Sequence, residues 1–136
     1  MTVEISNPVE LPDPTPFGYS HVATARGELV FIAGQYDYGA QDSSAHDDAV
    51  GVGFAVQVDN AFAALETALR SVGLDFADIA QMRTYIVDHD SDKLSVVGRK
   101  TAAIWGNRAP AQTLTGVAAL ALPGMLFEVD AVAVRG

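Results

Sequence analysis

The stretch MLFEVDAVAV near the end of the chain constrains the fold most. Phe127, Val129, Ala131 and Ala133 alternate there with Leu126, Glu128, Asp130 and Val132. A β-strand sends successive side chains to opposite faces. A strand here has one wholly apolar face and one face that carries two carboxylates. The first must be covered by another layer. The second presents Glu128 and Asp130 to water, to a partner or to a site.

The rest of the chain supplies the covering layer. Val58, Phe62, Leu65, Leu69 and Val72 recur three or four apart, which predicts a helix with an apolar stripe. Gly73 is a plausible C-terminal stop for it. The run IAQMRTYIVD reads as a strand. A second helix follows through LSVVGRKTAAIWG, capped by Ser91 or Asp92, with Leu94, Val97, Ile104 and Trp105 as its apolar positions. QTLTGVAAL reads as a further strand, and Pro123-Gly124 marks the turn before the last one. Upstream, SHVATA and LVFIAG flank Arg26-Gly27-Glu28 and read as a β-hairpin. Before them SNPVELPDPTPFGYS is rich in proline, which lacks a donor and fixes φ, so it is an extended or turning lead-in. The glycine-rich polar segment over 36–53 reads as a long surface loop.

The order is β-β-α-β-α-β-β. With only two helices, the simplest architecture is an α+β domain: a single sheet with both helices on one face. The other face then calls for cover from a second copy of the chain, since 136 residues hold no further layer. The whole chain, 1–136, is one domain.

Composition removes several function classes. The formal net charge is −9, from 8 basic and 17 acidic residues, which weighs against binding a phosphate backbone. There is no cysteine, so disulfides, thiolate metal sites and a cysteine nucleophile are out. No apolar run approaches the about 20 residues that span a bilayer. The N-terminus has no apolar signal core, and the expectation is a cytoplasmic protein with no membrane partner. His21, His46 and His89 match no metal-ligand spacing, so no metal is expected. No phosphate-binding glycine motif and no G-x-S-x-G elbow is present.

Two residues stand out by chemistry. Glu128 lies inside an apolar run; partial shielding from water disfavours the charged form of a carboxylate and suits an acid or a water-orienting group. Tyr19, in FGYSHV, is either an amphipathic strand-end aromatic or a hydrogen-bond donor lining a pocket.

Taken together, GYSHV, LVFIAGQ, the segment VDNAFAALETALRSVGLDFADIAQMRTYIVD and the ending APAQTLTGVAALALPGMLFEVDAVAV resemble the Rid family, also called RidA/YjgF/YER057c/UK114. The resemblance implies a bacterial chorismate mutase-like fold with a mixed sheet, assembled as a homotrimer with clefts between subunits. It implies a hydrolase (deaminase) acting on a reactive imine or enamine metabolite, with no cofactor and no metal. It assigns Glu128 to orienting the attacking water and Tyr19 to the border of the cleft, as catalytic residues. It places Ala33, Gly34 and Gln35 in the substrate-binding set, with Ala33 where archetypal members often carry serine.

One departure matters. Archetypal members have an arginine after Pro-Ala that clamps the substrate carboxylate; here the triplet is Pro110-Ala111-Gln112. A neutral amide cannot replace a charged bidentate fork. The asparagine often found early in the second helix is matched by Gly98. Two functions follow as expectations. One is a hydrolase for a neutral imine, enamine or related metabolite, with Gln112 hydrogen-bonding the substrate. The alternative is a non-catalytic, metabolite-binding or regulatory trimer. The RNA-directed role attached to some members is disfavoured by the acidic charge.

Overall fold

The computed structural model describes residues 3–39 and 52–136. The described residues form six strands: β1 (Val3–Ser6), β2 (Val22–Ala25), β3 (Glu28–Gln35), β4 (Ile79–Val87), β5 (Ala111–Val117) and β6 (Phe127–Arg135). Two helices, α1 (Val52–Ser71) and α2 (Ser91–Trp105), complete the fold. The main sheet is mixed, with order β3-β6-β4-β5; β6 is antiparallel to both neighbours and β5 is parallel to β4.

The two helices pack on one face of this sheet, as the periodicities predict. Val58, Phe62, Leu65 and Leu69 of α1 meet Phe127, Val129, Ala131 and Ala133 of β6 in a single core, all of them buried. Phe127 packs between Phe54 and Phe62, with both ring centroids 5.9 Å away. Burying side chains of this size stabilises by roughly 1.5–3 kcal/mol each. Helix α1 stops where expected: Gly73 takes φ 76°, and the Leu74 N–H donates to the Leu69 carbonyl at 3.0 Å. Val72, placed on the apolar stripe by spacing, lies beyond the helix end and is exposed.

Two expectations are corrected. The cap of α2 is Asp90, whose carboxylate accepts from the Lys93 N–H at 2.9 Å; Ser91 and Asp92 are already inside the helix. SHVATA and LVFIAG do not form a hairpin. β2 pairs with β1 in a separate two-stranded ribbon, and β3 pairs with β6. The reason lies at Gly27, which takes φ 141° and packs so tightly on the end of β6 that a Cβ there would fall 2.0 Å from the Arg135 carbonyl oxygen. The link carries the chain from the ribbon to the sheet instead of folding it back. The proline-rich lead-in is extended and turning as expected: it starts at the end of β1, a strand the sequence did not announce, and ends in a 3-10 turn at Thr15–Phe17. Of the loop expected over 36–53, residues 40–51, including His46, lie outside the described residues.

Among the described residues, part of the sheet face away from the helices is left uncovered. Leu29 and Phe31 of β3 point there and are exposed, Phe31 at 73%. So do Glu128, Asp130, Arg83 and Tyr85.

Candidate functional site

Glu128 sits between Phe127 and Val129, both fully buried, so its side chain leaves the sheet on the uncovered face. Its register partner on β4 is Tyr85, and Asp130 stands opposite Arg83. Arg83 Nε donates to Asp130 Oδ1 at 3.0 Å, and the Tyr85 hydroxyl donates to Asp130 Oδ2 at 3.0 Å. Both oxygens of Asp130 are therefore engaged, while Glu128 is left without the arginine. Partial burial first, and the neighbouring Asp130 charge second, push the Glu128 carboxyl above its ordinary value. The Tyr85 hydroxyl is pushed up as well, by burial and by its bond to Asp130.

On its other side Glu128 reaches β3. The β3–β6 register breaks between Ile32 and Gln35, which places Ala33 and Gly34 in a bulge. The carboxylate lies directly over Gly34: a Cβ on Gly34 would fall 1.7 Å from Oε2. Gln35 staples this bulge, donating from Nε2 to the Ala33 carbonyl at 3.1 Å and accepting from the Tyr38 hydroxyl at 2.8 Å. The structure thus brings Glu128, Ala33, Gly34 and Gln35 together.

Tyr19 and Gln112 meet elsewhere. The 3-10 turn docks on α2 through Gly18, whose Cβ would collide with Thr101 Oγ1 at 2.0 Å. Ser20 then bridges to Ala111 at the start of β5, its N–H donating to the Pro110 carbonyl at 3.2 Å. This holds Tyr19 beside Gln112. The two residues border a pocket of about 470 Å³ with Phe17, Leu94, Val97 and Leu114, and among the described residues none that lines it is charged. Gly98 lines an adjoining hollow that shares Phe17 and Leu94. Arg108 borders a different cavity, with Val3 and Ile5.

Gln112 is on the helix side of the sheet. It stands opposite Met82 in the parallel β4–β5 register, and Met82 is fully buried. Its Oε1 accepts from the hydroxyl of Thr84, itself fully buried, at 3.1 Å. Within one chain, Gln112 and Glu128 therefore occupy opposite faces of the same sheet.

The sequence model of the family described as endoribonuclease L-PSP matches residues 12–135. A Rid-family protein of unknown function from Yersinia pestis superposes with a TM-score of 0.86 at 31% identity, covering 99% of this chain and 100% of that one. The chain belongs to the Rid family. A YjgF/YER057c/UK114 family member from Mycobacterium tuberculosis is 27% identical, with a TM-score of 0.63 over 98% of this chain and 99% of that one. A YjgF family protein from Neisseria meningitidis shares the fold at 20% identity, with a TM-score of 0.62 over 100% of this chain and 97% of that one. No match to a curated protein was found.

The sequence alone did not single out Thr84, which bonds Gln112, or Arg83 and Tyr85, which bond Asp130. Thr84 had a signal: it is the one polar residue in the buried alternation Met82, Thr84, Ile86. Gln57 also had one, as an amide four residues before Ala61 on the buried stripe. It is 1% exposed, donates to the Gly124 carbonyl at 3.0 Å and accepts from the Leu126 N–H at 2.8 Å, so it pins the approach to the Glu128 strand. His21 is structural here: its ring Nε2 lies 2.7 Å from the Pro12 carbonyl oxygen, and the ring packs edge-on against Tyr19. Among the described residues no helix is long and apolar enough to cross a membrane.

Proposed function

We propose that this chain works as a homotrimer that hydrolyses a neutral imine, enamine or related metabolite at clefts between subunits. The Glu128–Gly34 face of one subunit meets the Tyr19–Gln112 pocket of the next. The observation that carries this reading is the placement of Gln112 and Glu128 on opposite sheet faces. No single chain can bring both to one small molecule, whereas neighbouring copies can. The exposed Leu29 and Phe31, on the same sheet face as Glu128, support cover by another copy.

The chemistry follows from the carboxylate. Ionised Glu128 accepts a proton from water as the water oxygen bonds to the imine carbon. The C=N electron pair moves to nitrogen, which takes up a proton. The carbinolamine then loses ammonia as its hydroxyl becomes the carbonyl. No oxidant or cofactor enters this balance. Gln112 in place of an arginine shifts preference away from free imino acids, because a carboxylate would lose about 2–5 kcal/mol of charge-assisted binding.

Imines generated by an amino-acid oxidase from a panel of amino acids and amino-acid amides test this reading. Faster imine loss, strongest for the amides and abolished in Glu128→Gln, is expected. No acceleration with any imine would overturn the hydrolase and favour the alternative, a metabolite-binding trimer without turnover. Gln112 and the lack of charge among the described lining residues are what favour that second reading. The nuclease wording in the family description finds no support in a chain of net charge −9.

A further inference from the structure

We infer that Thr84 sets the orientation of the Gln112 amide, so that the pocket selects an apolar ligand carrying a neutral carbonyl oxygen. This deepens the proposed function and rests on its reading of the Tyr19–Gln112 pocket as the substrate subsite.

The argument begins at Thr84. Its hydroxyl is fully buried, and the bond to Gln112 Oε1 at 3.1 Å is its side-chain contact among the described residues. A buried hydroxyl needs an acceptor for its proton. The amide oxygen of Gln112 provides one; the amide nitrogen does not. With the oxygen committed to Thr84, the Gln112 NH₂ is the part left to meet a ligand. The amide then turns its two N–H donors toward the pocket, while its oxygen points to Thr84.

The walls decide which acceptor fits. Phe17, Leu94, Val97 and Leu114 give the pocket an apolar body, and none of its described lining residues carries charge. A carboxylate entering it is desolvated with no cation among the described lining residues, since Arg99 lies in the adjoining hollow. A carbonyl of an amide, lactam or ester accepts from an N–H at far smaller desolvation cost. The apolar walls take an alkyl or aryl group of the same molecule. Thr84 acts through Gln112 and is a positioning residue. It also stands on a buried face where a valine of like shape would pack, so its hydroxyl is spent on Gln112 and not on the core.

Calorimetric titration of the full-length protein with 3-phenylpropanamide and with 3-phenylpropanoate tests this. The parent is expected to bind the amide about tenfold or more tighter than the carboxylate. Thr84→Val frees the amide to rotate and should shrink that preference to within about threefold, and Thr84→Ser should restore it. The Gln112 side-chain NH₂ resonances, identified by their absence in Gln112→Leu, should shift on adding the amide. Equal or tighter binding of the carboxylate by the parent overturns the inference. So does binding of neither compound at millimolar concentration, or a preference that Thr84→Val leaves unchanged. The titration needs no turnover. A protein that shows the amide preference but no Glu128-dependent hydrolysis keeps the pocket assignment and loses the hydrolase.

Discussion

The carboxylate of Glu128 lies against the backbone of Gly34, in a space that a single methyl group at Gly34 would fill. β6 supplies the acid and the bulge in β3 supplies the gap. The glycine is needed here for close approach, since its φ is not among the positive values. Gly34→Ala must therefore displace the far end of a flexible side chain and need not distort the strand. Stability in urea should change by less than about 1 kcal/mol. Glu128-dependent turnover should fall by about tenfold or more, because the acid leaves its position. Parent-like activity in the alanine variant would show that the carboxylate works from elsewhere.

Charge on Glu128 is costly to the folded state. Its carboxyl is held above the ordinary value, by burial and by Asp130, so the native chain binds the proton more tightly than the unfolded one. The stability contribution is full below the unfolded value and is lost as pH rises through the folded one. Glu128→Gln should accordingly be more stable than the parent at pH 7 and lose that advantage on acidification toward pH 3. Urea unfolding across that range reads the sign directly.

The same shift predicts a pH profile. If ionised Glu128 orients water, turnover falls on the acid side at a pH above the ordinary glutamate value. Asp130→Asn removes the second cause of the shift and should move that limb to lower pH. An unmoved limb in Asp130→Asn would assign it to another group.

Gln112→Arg should restore a carboxylate clamp beside Tyr19. Activity on free imino acids is expected to rise about 30-fold or more, which is the lower end of what a desolvated charged contact contributes. Steady-state rates with oxidase-generated imino acids measure it. A folded variant with no gain would show that the pocket has departed from anionic substrates by more than one residue.

Gln57 is a structural prediction. Gln57→Leu removes the partner of the Gly124 carbonyl and of the Leu126 N–H. Leaving a buried backbone group unsatisfied costs about 1–3 kcal/mol, so the urea midpoint should drop accordingly. Turnover should fall too, since those residues lead into the strand that carries Glu128.

Much of the fold was legible because its signals are local. The alternation over 126–133 fixed which face of β6 is dry, and the three-to-four spacing from Val58 to Leu69 fixed the helix that covers it. Gly73 announced the end of α1 for a reason internal to one residue, its ease at positive φ. Glu128 was legible as a candidate because a carboxylate inside an apolar alternation is a local anomaly, and the Rid-family pattern around Tyr19, Gly34 and Gln112 could be matched position by position. What stayed hidden depends on contacts between distant segments. β2 took β1 as its partner, a choice made by pairing energies along two whole strands and by the crowding of Gly27 against Arg135. The cap of α2 fell on Asp90, one residue before the expected pair, since the carboxylate that reaches Lys93 wins. Above all, the parallel register of β4 and β5 put Gln112 beside Thr84 and on the face opposite Glu128. Side-chain periodicity within one strand says which residues share a face. Only the pairing of strands far apart in the chain says which of those faces is the same one.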